Sequence, residues 1–264
     1  MARNMSAAIV HSLTDSPKWL HWLESCPSTN RWAIEHLTLL EPGAVVFTQQ
    51  QTHGRGQHER VWYAPPGVLT MSVVLDVPVM QLSGFSLIAG LAVINAVEEL
   101  IPDLQHQLRL KWTNDVWLNG RKLAGILCEG VTHGANTKLV VGIGLNRCAD
   151  FVELKERINP ISLHEVALVP DEFAFLDRIR DHLIKIVKPL QSLEHSQNQS
   201  IELSLLSDLR DRDVLLGHVV TIELHEESVT GEAVGIDDRG CLLLRLPDQT
   251  IRAFTSGHVS KIEG

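Results

Sequence analysis

The chain has 264 residues, 44% of them hydrophobic, enough for one large domain or a large and a small one around a sizeable core. Lys and Arg total 23 against 32 Asp and Glu, a formal charge of −9 with no basic stripe, so a DNA or RNA partner has little electrostatic support. The four cysteines (Cys26, Cys128, Cys148, Cys241) form no CxxC pair, the thirteen histidines no HExxH, and no apolar run has secretory or membrane-spanning length, so the reading is a cytoplasmic protein with reduced thiols, no membrane partner and no readable metal ligand set.

Trp32 to Leu40 reads as a helix introduced by the N-cap formers Ser28-Thr29-Asn30 and stopped near Gly43. Ala44 to Thr48 is a short buried strand. A glycine-rich loop, Gln51 to Trp62, follows it. Val68 to Val77 is β-rich, and Leu87 to Leu100 is a strongly apolar helix ended by Pro102. Leu108 to Trp112 and Val116 to Leu118 are strand pieces. Asn119-Gly120 then signals a type I′ hairpin, because both central positions need positive φ. Lys122 to Glu129 is the returning strand and Leu139 to Leu145 another buried one. Asp171 to Val187 carries Phe173, Leu176, Ile179, Leu183 and Ile186 at amphipathic helical spacing. Ser192 to Ser200 reads as a polar loop. Past Leu215 the runs shorten to Val219–Leu224, Val229–Ile236, Cys241–Leu246 and Ile251–Phe254, as in a small barrel. The expected organisation is residues 1–214 as the main domain and 215–264 as the barrel.

Three stretches carry chemistry. In the loop, Gly54 and Gly56 allow close backbone approach, and Arg55 and Arg60 offer planar forks to phosphate or carboxylate oxygens. Neither GxGxxG nor GK[ST] is present, so Rossmann and Walker A loops are poor matches. Lys111-Trp112-Thr113-Asn114-Asp115 sets polar side chains at a strand end beside the hairpin, and Lys122 opens an otherwise apolar strand. Read alone, each could be solvated surface. Cys128 reads as a small core residue.

Taken in order, Ser28-Thr29-Asn30, Gln51…Gly54-Arg55-Gly56…Arg60-Val61-Trp62, Lys111-Trp112-Thr113-Asn114-Asp115, Lys122-Leu123-Ala124-Gly125-Ile126-Leu127 and Gly142-Ile143-Gly144-Leu145-Asn146 resemble a biotin–protein ligase. The resemblance covers Glu24 to Asn146 closely and extends more loosely to Gly235-Ile236-Asp237…Gly240 and Ser256-Gly257…Val259-Ser260. It implies an α+β fold: a class II aminoacyl-tRNA synthetase-like catalytic domain with a mixed sheet, then a small SH3-like barrel. It also implies a reaction, in which biotin and ATP give biotinoyl-5′-AMP and a lysine of a biotin carboxyl carrier domain then takes the biotinoyl group.

By the same resemblance, Lys122, Arg55 and Arg60 are the catalytic cations. Ser28, Thr29, Asn30, Gln51, Arg55, Gly56, Gln57, Trp62 and Lys122 bind biotin. Lys111, Asn114, Asp115, Lys122 and Asn146 bind ATP, with Mg²⁺ accompanying the nucleotide and the loop ordering over the intermediate to exclude water. Two departures stand out. Glu59 replaces a usual glycine, and a carboxylate about 6 Å from a phosphate would cost roughly 2–3 kcal/mol, so Glu59 is expected to face outward or to pair with Arg60 or His58. Thr113 replaces a usual proline. The Ser28-Thr29-Asn30 motif arrives too early to leave room for the winged-helix DNA-binding domain of bifunctional members, so a ligase without repressor function is expected. The alternatives are a lipoate or octanoate ligase of the same fold and a biotin sensor whose chemistry has lapsed. A homodimer is left open.

Overall fold

The computed structural model describes residues 17–57, 60–78, 84–133, 136–151, 159–191 and 203–263. Seven strands make one mixed sheet: β1 (Leu20–Leu23), β2 (Val45–Thr48), β3 (Val68–Pro78), β4 (Leu108–Lys111), β5 (Asp115–Leu118), β6 (Arg121–His133) and β7 (Asn136–Asn146), in the order β1-β2-β3-β7-β6-β5-β4. β1 and β2 run parallel and the other pairs antiparallel. A second, antiparallel sheet has the order β11-β10-β9-β8-β12, from β8 (Val219–Glu223), β9 (Ser228–Ile236), β10 (Leu242–Arg245), β11 (Ile251–Phe254) and β12 (His258–Glu263). The expected α+β architecture with a small C-terminal β unit is what the chain adopts.

Strand alternation divides the large sheet into two unlike faces. Leu69, Met71, Val73, Leu75 and Val77 of β3 point to one side, with Val141, Ile143 and Leu145 of β7, and all are buried. Helices α2 (Phe85–Leu100) and α3 (Glu172–Gln191) cover that side. α2 is apolar nearly all round and correspondingly buried. It comes close enough to β4 that a Cβ on Gly90 would lie 2.7 Å from Leu110 Cδ2. α3 buries Phe175, Leu176, Ile179, Leu183 and Val187. Phe173, expected on that stripe, is instead exposed and stacks on Trp19 at 5.8 Å between ring centroids. On the other side, α1 (Thr29–Glu35) packs Trp32 and Ala33 over Leu23, Val46, Val74 and Val140.

α1 starts and ends earlier than its sequence suggests. Ser28 takes an extended conformation (φ −156°, ψ 130°) and its side chain accepts from Arg31 N, while Leu37–Leu39 tightens into a 3₁₀ turn. At the hairpin, Asn119 and Gly120 have φ of 51° and 69°, as expected. β1, β12 and α4 (Leu203–Asp211) were not expected. The segment Ser192–Ser200 lies outside the described residues. The two sheets are joined where Leu110 N donates to Arg212 O and Val214 N to Leu110 O, beside a bidentate pair of Arg212 with Glu98 at 2.5 and 2.8 Å.

Candidate active site

The α1 side of the sheet is open past the end of that helix, and its floor is made of small and polar residues. Cross-strand register aligns Lys111, Asp115, Gly125, Gly144 and Thr70 in one row over β4, β5, β6, β7 and β3. Leu127, Gly142 and Ser72 form the next row. The glycines are spaces for other side chains. A Cβ on Gly144 would fall 2.3 Å from the Trp62 ring, one on Gly125 2.9 Å from the same ring, and one on Gly142 2.3 Å from Asn30 Oδ1. The indole that closes the glycine-rich loop is therefore seated in a slot between β6 and β7.

Lys122 reaches this floor because of a bulge. Simple alternation would put it beside Ala124 and Ile126, facing the core. Register shifts between Val116 and Trp117, with Leu123 as the extra residue, so Lys122 turns to the open face. Its Nζ lies 2.6 Å from Asp115 Oδ1 and 5.5 Å from the Trp62 ring centroid. Its backbone is held on both sides: its N–H donates to Asn159 O, and its carbonyl accepts from Ile161 N and from the Asn146 amide at 3.1 Å.

The first turn of α1 forms a polar rim. Gln51 Oε1 accepts from Thr29 N at 2.9 Å, and Ser72 Oγ lies 2.7 Å from Thr29 Oγ1 and 2.6 Å from Asn30 Oδ1. Asn30 is buried and its Nδ2 donates to Leu127 O and Glu129 Oε2. The described residues of the loop pair with one another, with Arg55 bridged to Val61, Gly56 N donating to Arg60 O and Trp62 N to Gly54 O. Gly54 is required there, since a Cβ would meet Trp62 O at 2.4 Å.

Each cation has a partner. Arg55 Nη2 contacts both oxygens of Glu129 at 2.8 Å, and Arg60 Nη1 lies 2.9 Å from His258 Nδ1. Lys111 Nζ donates to Val259 O at 3.0 Å and sits over the Trp117 ring. Burial lowers Lys111 below the usual lysine range; Asp115 opposes that, and Lys122 and Arg60 add to it. Thr113 Oγ1 donates to Gln57 Oε1, and the Trp112–Thr113 peptide is cis. Ser28, Thr29, Asn30, Gln51, Arg55, Gly56, Gln57, Arg60, Trp62, Lys111, Asn114, Asp115, Lys122 and Asn146 all line one cavity of about 700 Å³. Polar hydrogen-bonding groups with Arg55 beside them at one end, where Arg55 and Asn30 share Glu129, and Arg60, Lys111 and Lys122 grouped together elsewhere in the cavity suit an elongated ligand with a polar head and an anionic tail.

Two models match the chain: the Biotin/lipoate A/B protein ligase family over residues 22–146 and the Biotin protein ligase C terminal domain over residues 215–262. A biotin–[acetyl-CoA-carboxylase] ligase of Mycobacterium tuberculosis is 35% identical over 79% of this chain and 76% of its own length. This chain belongs to the biotin protein ligase family. The ligase of Paracoccus denitrificans with the same name is 31% identical over 83% of this chain and 91% of its own. A solved biotin protein ligase of Aquifex aeolicus, in complex with biotin and ATP, is 28% identical with a TM-score of 0.72, over 92% of this chain and 98% of that one.

All the expected side chains thus meet at one place, though several are already committed. Asn30 and Asn146 spend their amide nitrogens on neighbouring groups, and Asn114 Nδ2 donates to Ile126 O at 2.7 Å. Sequence reasoning missed Ser72, Glu129 and His258, which engage Thr29, Asn30, Arg55 and Arg60 across the sheet or from the C-terminal unit. Glu59 and His58 lie outside the described residues. For Mg²⁺ the fit is poor. Among the described residues no three acidic, His or Cys side chains cluster, and Asp115, the carboxylate among the lining residues, is ion-paired to Lys122. The described residues offer no cage for the metal.

Proposed function

We propose that this ligase activates biotin with ATP and transfers it to the lysine of a biotin carboxyl carrier domain of the acetyl-CoA carboxylase type, using the cavity between the glycine-rich loop and the open face of the sheet. The observation that carries the reading is the convergence of Arg55, Arg60, Lys111 and Lys122 on the cavity that also holds the Ser28-Thr29-Gln51 rim. The ureido ring of biotin needs acceptors for two N–H groups and a donor for its carbonyl. The hydroxyls of Ser28 and Thr29 and the amide of Gln51 supply both kinds. Asn30 and Gly56 shape the same end, Gln57 closes it through Thr113, and the half-buried Trp62 forms its apolar wall.

A carboxylate then has to approach a polyanion. Cations held in place by the fold lower that barrier, because they need no rearrangement as charge builds up. In the first step a biotin carboxylate oxygen bonds to the α-phosphorus, the bond from that phosphorus to the β-phosphate bridge breaks, and pyrophosphate leaves. Lys122 sits between the slot and Lys111, so its ammonium can serve the carboxylate and the α-phosphate together. Asp115 orients Lys122, and Asn114 and Asn146 serve the nucleotide side while fixing β6. Any Mg²⁺ would come as part of the nucleotide substrate, since the described residues offer no cage for it. In the second step the carrier amine attacks the acyl carbon, loses a proton, and AMP departs. We assign residues 1–214 to the catalytic domain and 215–264 to the accessory barrel, and a cytoplasmic location agrees with the four free cysteines. Among the described residues no helix is long and apolar enough to cross a membrane.

The test is to incubate the protein with ATP, biotin and a carrier domain, then detect label with streptavidin. Label is expected with biotin and lost in Lys122→Ala. Carrier modification by octanoate or lipoate in place of biotin would overturn the substrate assignment, and binding of biotin without label would make the chain a sensor.

A further inference from the structure

The C-terminal sheet reaches the cavity through the start of β12. His258 and Val259 line it, and each engages a cation of the site: Arg60 Nη1 lies 2.9 Å from His258 Nδ1, and Lys111 Nζ donates to Val259 O at 3.0 Å. A guanidinium can only donate, so the first contact requires an imidazole whose Nδ1 carries no proton. Four charged groups face that imidazole: Arg60 from the loop, Lys111 from β4, Asp115 from β5, and Glu223 from β8, which is the cross-strand partner of His258. Burial is the largest influence, and with Arg60 and Lys111 it outweighs the two carboxylates, holding His258 below the usual histidine range.

The bridged Arg55 and Val61 are anchored by the neighbouring Trp62, whose ring is fixed in the glycine slot. The guanidinium of Arg60, two residues before that anchor, is received by a residue 198 positions away in sequence. We propose that His258 is a positioning residue for the ligase reaction: its neutral imidazole holds Arg60 at the cavity mouth, so that the C-terminal sheet sets the geometry of the phosphate-side cations. This rests on the ligase reading above. Because the imidazole is held below its ordinary value, the contact is complete at and above neutral pH. It is lost as pH falls through the lowered value, where a protonated ring would add a positive charge beside Arg60 and Lys111.

The test is biotin-dependent ATP–pyrophosphate exchange between pH 5 and 8 for the wild type, His258→Ala and His258→Asn. Asparagine puts an acceptor oxygen near the Nδ1 position and does not titrate. Losing one charge-assisted hydrogen bond predicts an increase in the KM for ATP of about tenfold in His258→Ala at neutral pH. His258→Asn should restore KM to within about twofold and remove the acid limb that this histidine gives the wild type. Wild-type constants and pH profile in His258→Ala would overturn the proposal, as would an asparagine variant, folded by circular dichroism, as impaired as alanine. An NMR titration of the His258 ring, assigned from the missing resonance in His258→Asn and run without substrates, tests the contact whether or not the chain is a ligase. A midpoint below the ordinary value near ~6.5 supports it, and an ordinary midpoint refutes it. Absence of exchange with biotin in the wild type would instead remove the ligase reading.

Discussion

Adding one methyl group at Gly144 should disable the site while leaving the fold largely intact. The new Cβ would fall 2.3 Å from both Trp62 Cε2 and Cζ2, where 3.4 Å is the start of ordinary contact, so the ring must retreat by about 1.1 Å. The floor cannot yield, because Gly144 is paired on both sides, to Gly125 and Thr70. The ring can, since it is only half-buried. A tryptophan buries about 200 Å² when fully covered, so the half-buried ring loses on the order of 100 Å², or about 2.5 kcal/mol of docking free energy. That energy is drawn from the loop, not the core. Gly144→Ala should therefore raise the KM for biotin by roughly 30–100-fold in pyrophosphate exchange. Its thermal midpoint should fall by less than about 3 °C. Wild-type kinetic constants in this variant would show that the indole does not occupy the slot, and the account of why β6 and β7 carry glycines there would fail.

Three further outcomes follow from buried groups. Asp213 is pushed up to about 6 by burial, with its Oδ2 buried and unpartnered beside the junction of the two sheets, while its Oδ1 accepts from Leu215 N. A carboxyl raised in the fold destabilises it as pH rises from the unfolded value through the folded one, so Asp213→Asn should be more stable than wild type at pH 8, by at most about 3 kcal/mol in urea unfolding, and equal to it near pH 4; a difference independent of pH would contradict this. Burial pushes the Cys128 thiol up to about 12 and that of Cys26 to about 11, so both should resist iodoacetamide at pH 7.5 in the native protein, and Cys128→Ala should keep its labelling activity; an acyl group trapped on Cys128 would point to transferase chemistry instead. Gly142→Ala drives a Cβ into the Asn30 amide, which is fixed by Ser72, Leu127 and Glu129, and overpacking of a site that cannot relax should cost about 2–3 kcal/mol in denaturant unfolding, against little change if Asn30 can swing away.

Where local chemistry decides an outcome, the chain could be read directly. Asn119-Gly120 requires a hairpin because both residues need positive φ, and α3 follows from its spacing, with Phe173 misjudged only because it lies at the first turn and finds Trp19. β1 escaped notice since Leu20–Leu23 has no strand pattern of its own and exists through its parallel pairing with β2. The site divides in the same way. The cations and the α1 rim stand out as residue types in order. Ser72, Glu129 and His258 are ordinary in their own segments and acquire roles only through register and through the approach of the second sheet. Lys122 combines both cases: its place in the motif was visible, but the bulge at Leu123 that turns it from the core to the open face depends on pairing with β5.

The claim on which the rest depends is that Lys122, turned into the cavity and held by Asp115, joins a carboxylate to a phosphate. Biotin-dependent ATP–pyrophosphate exchange measures that step alone, without the carrier. The wild type should exchange only when biotin is present, and Lys122→Ala should exchange roughly 10²–10³-fold more slowly, as expected when a preorganised charge is removed from a developing anion. Exchange in Lys122→Ala at the wild-type rate, or exchange driven by octanoate and not by biotin, would contradict it.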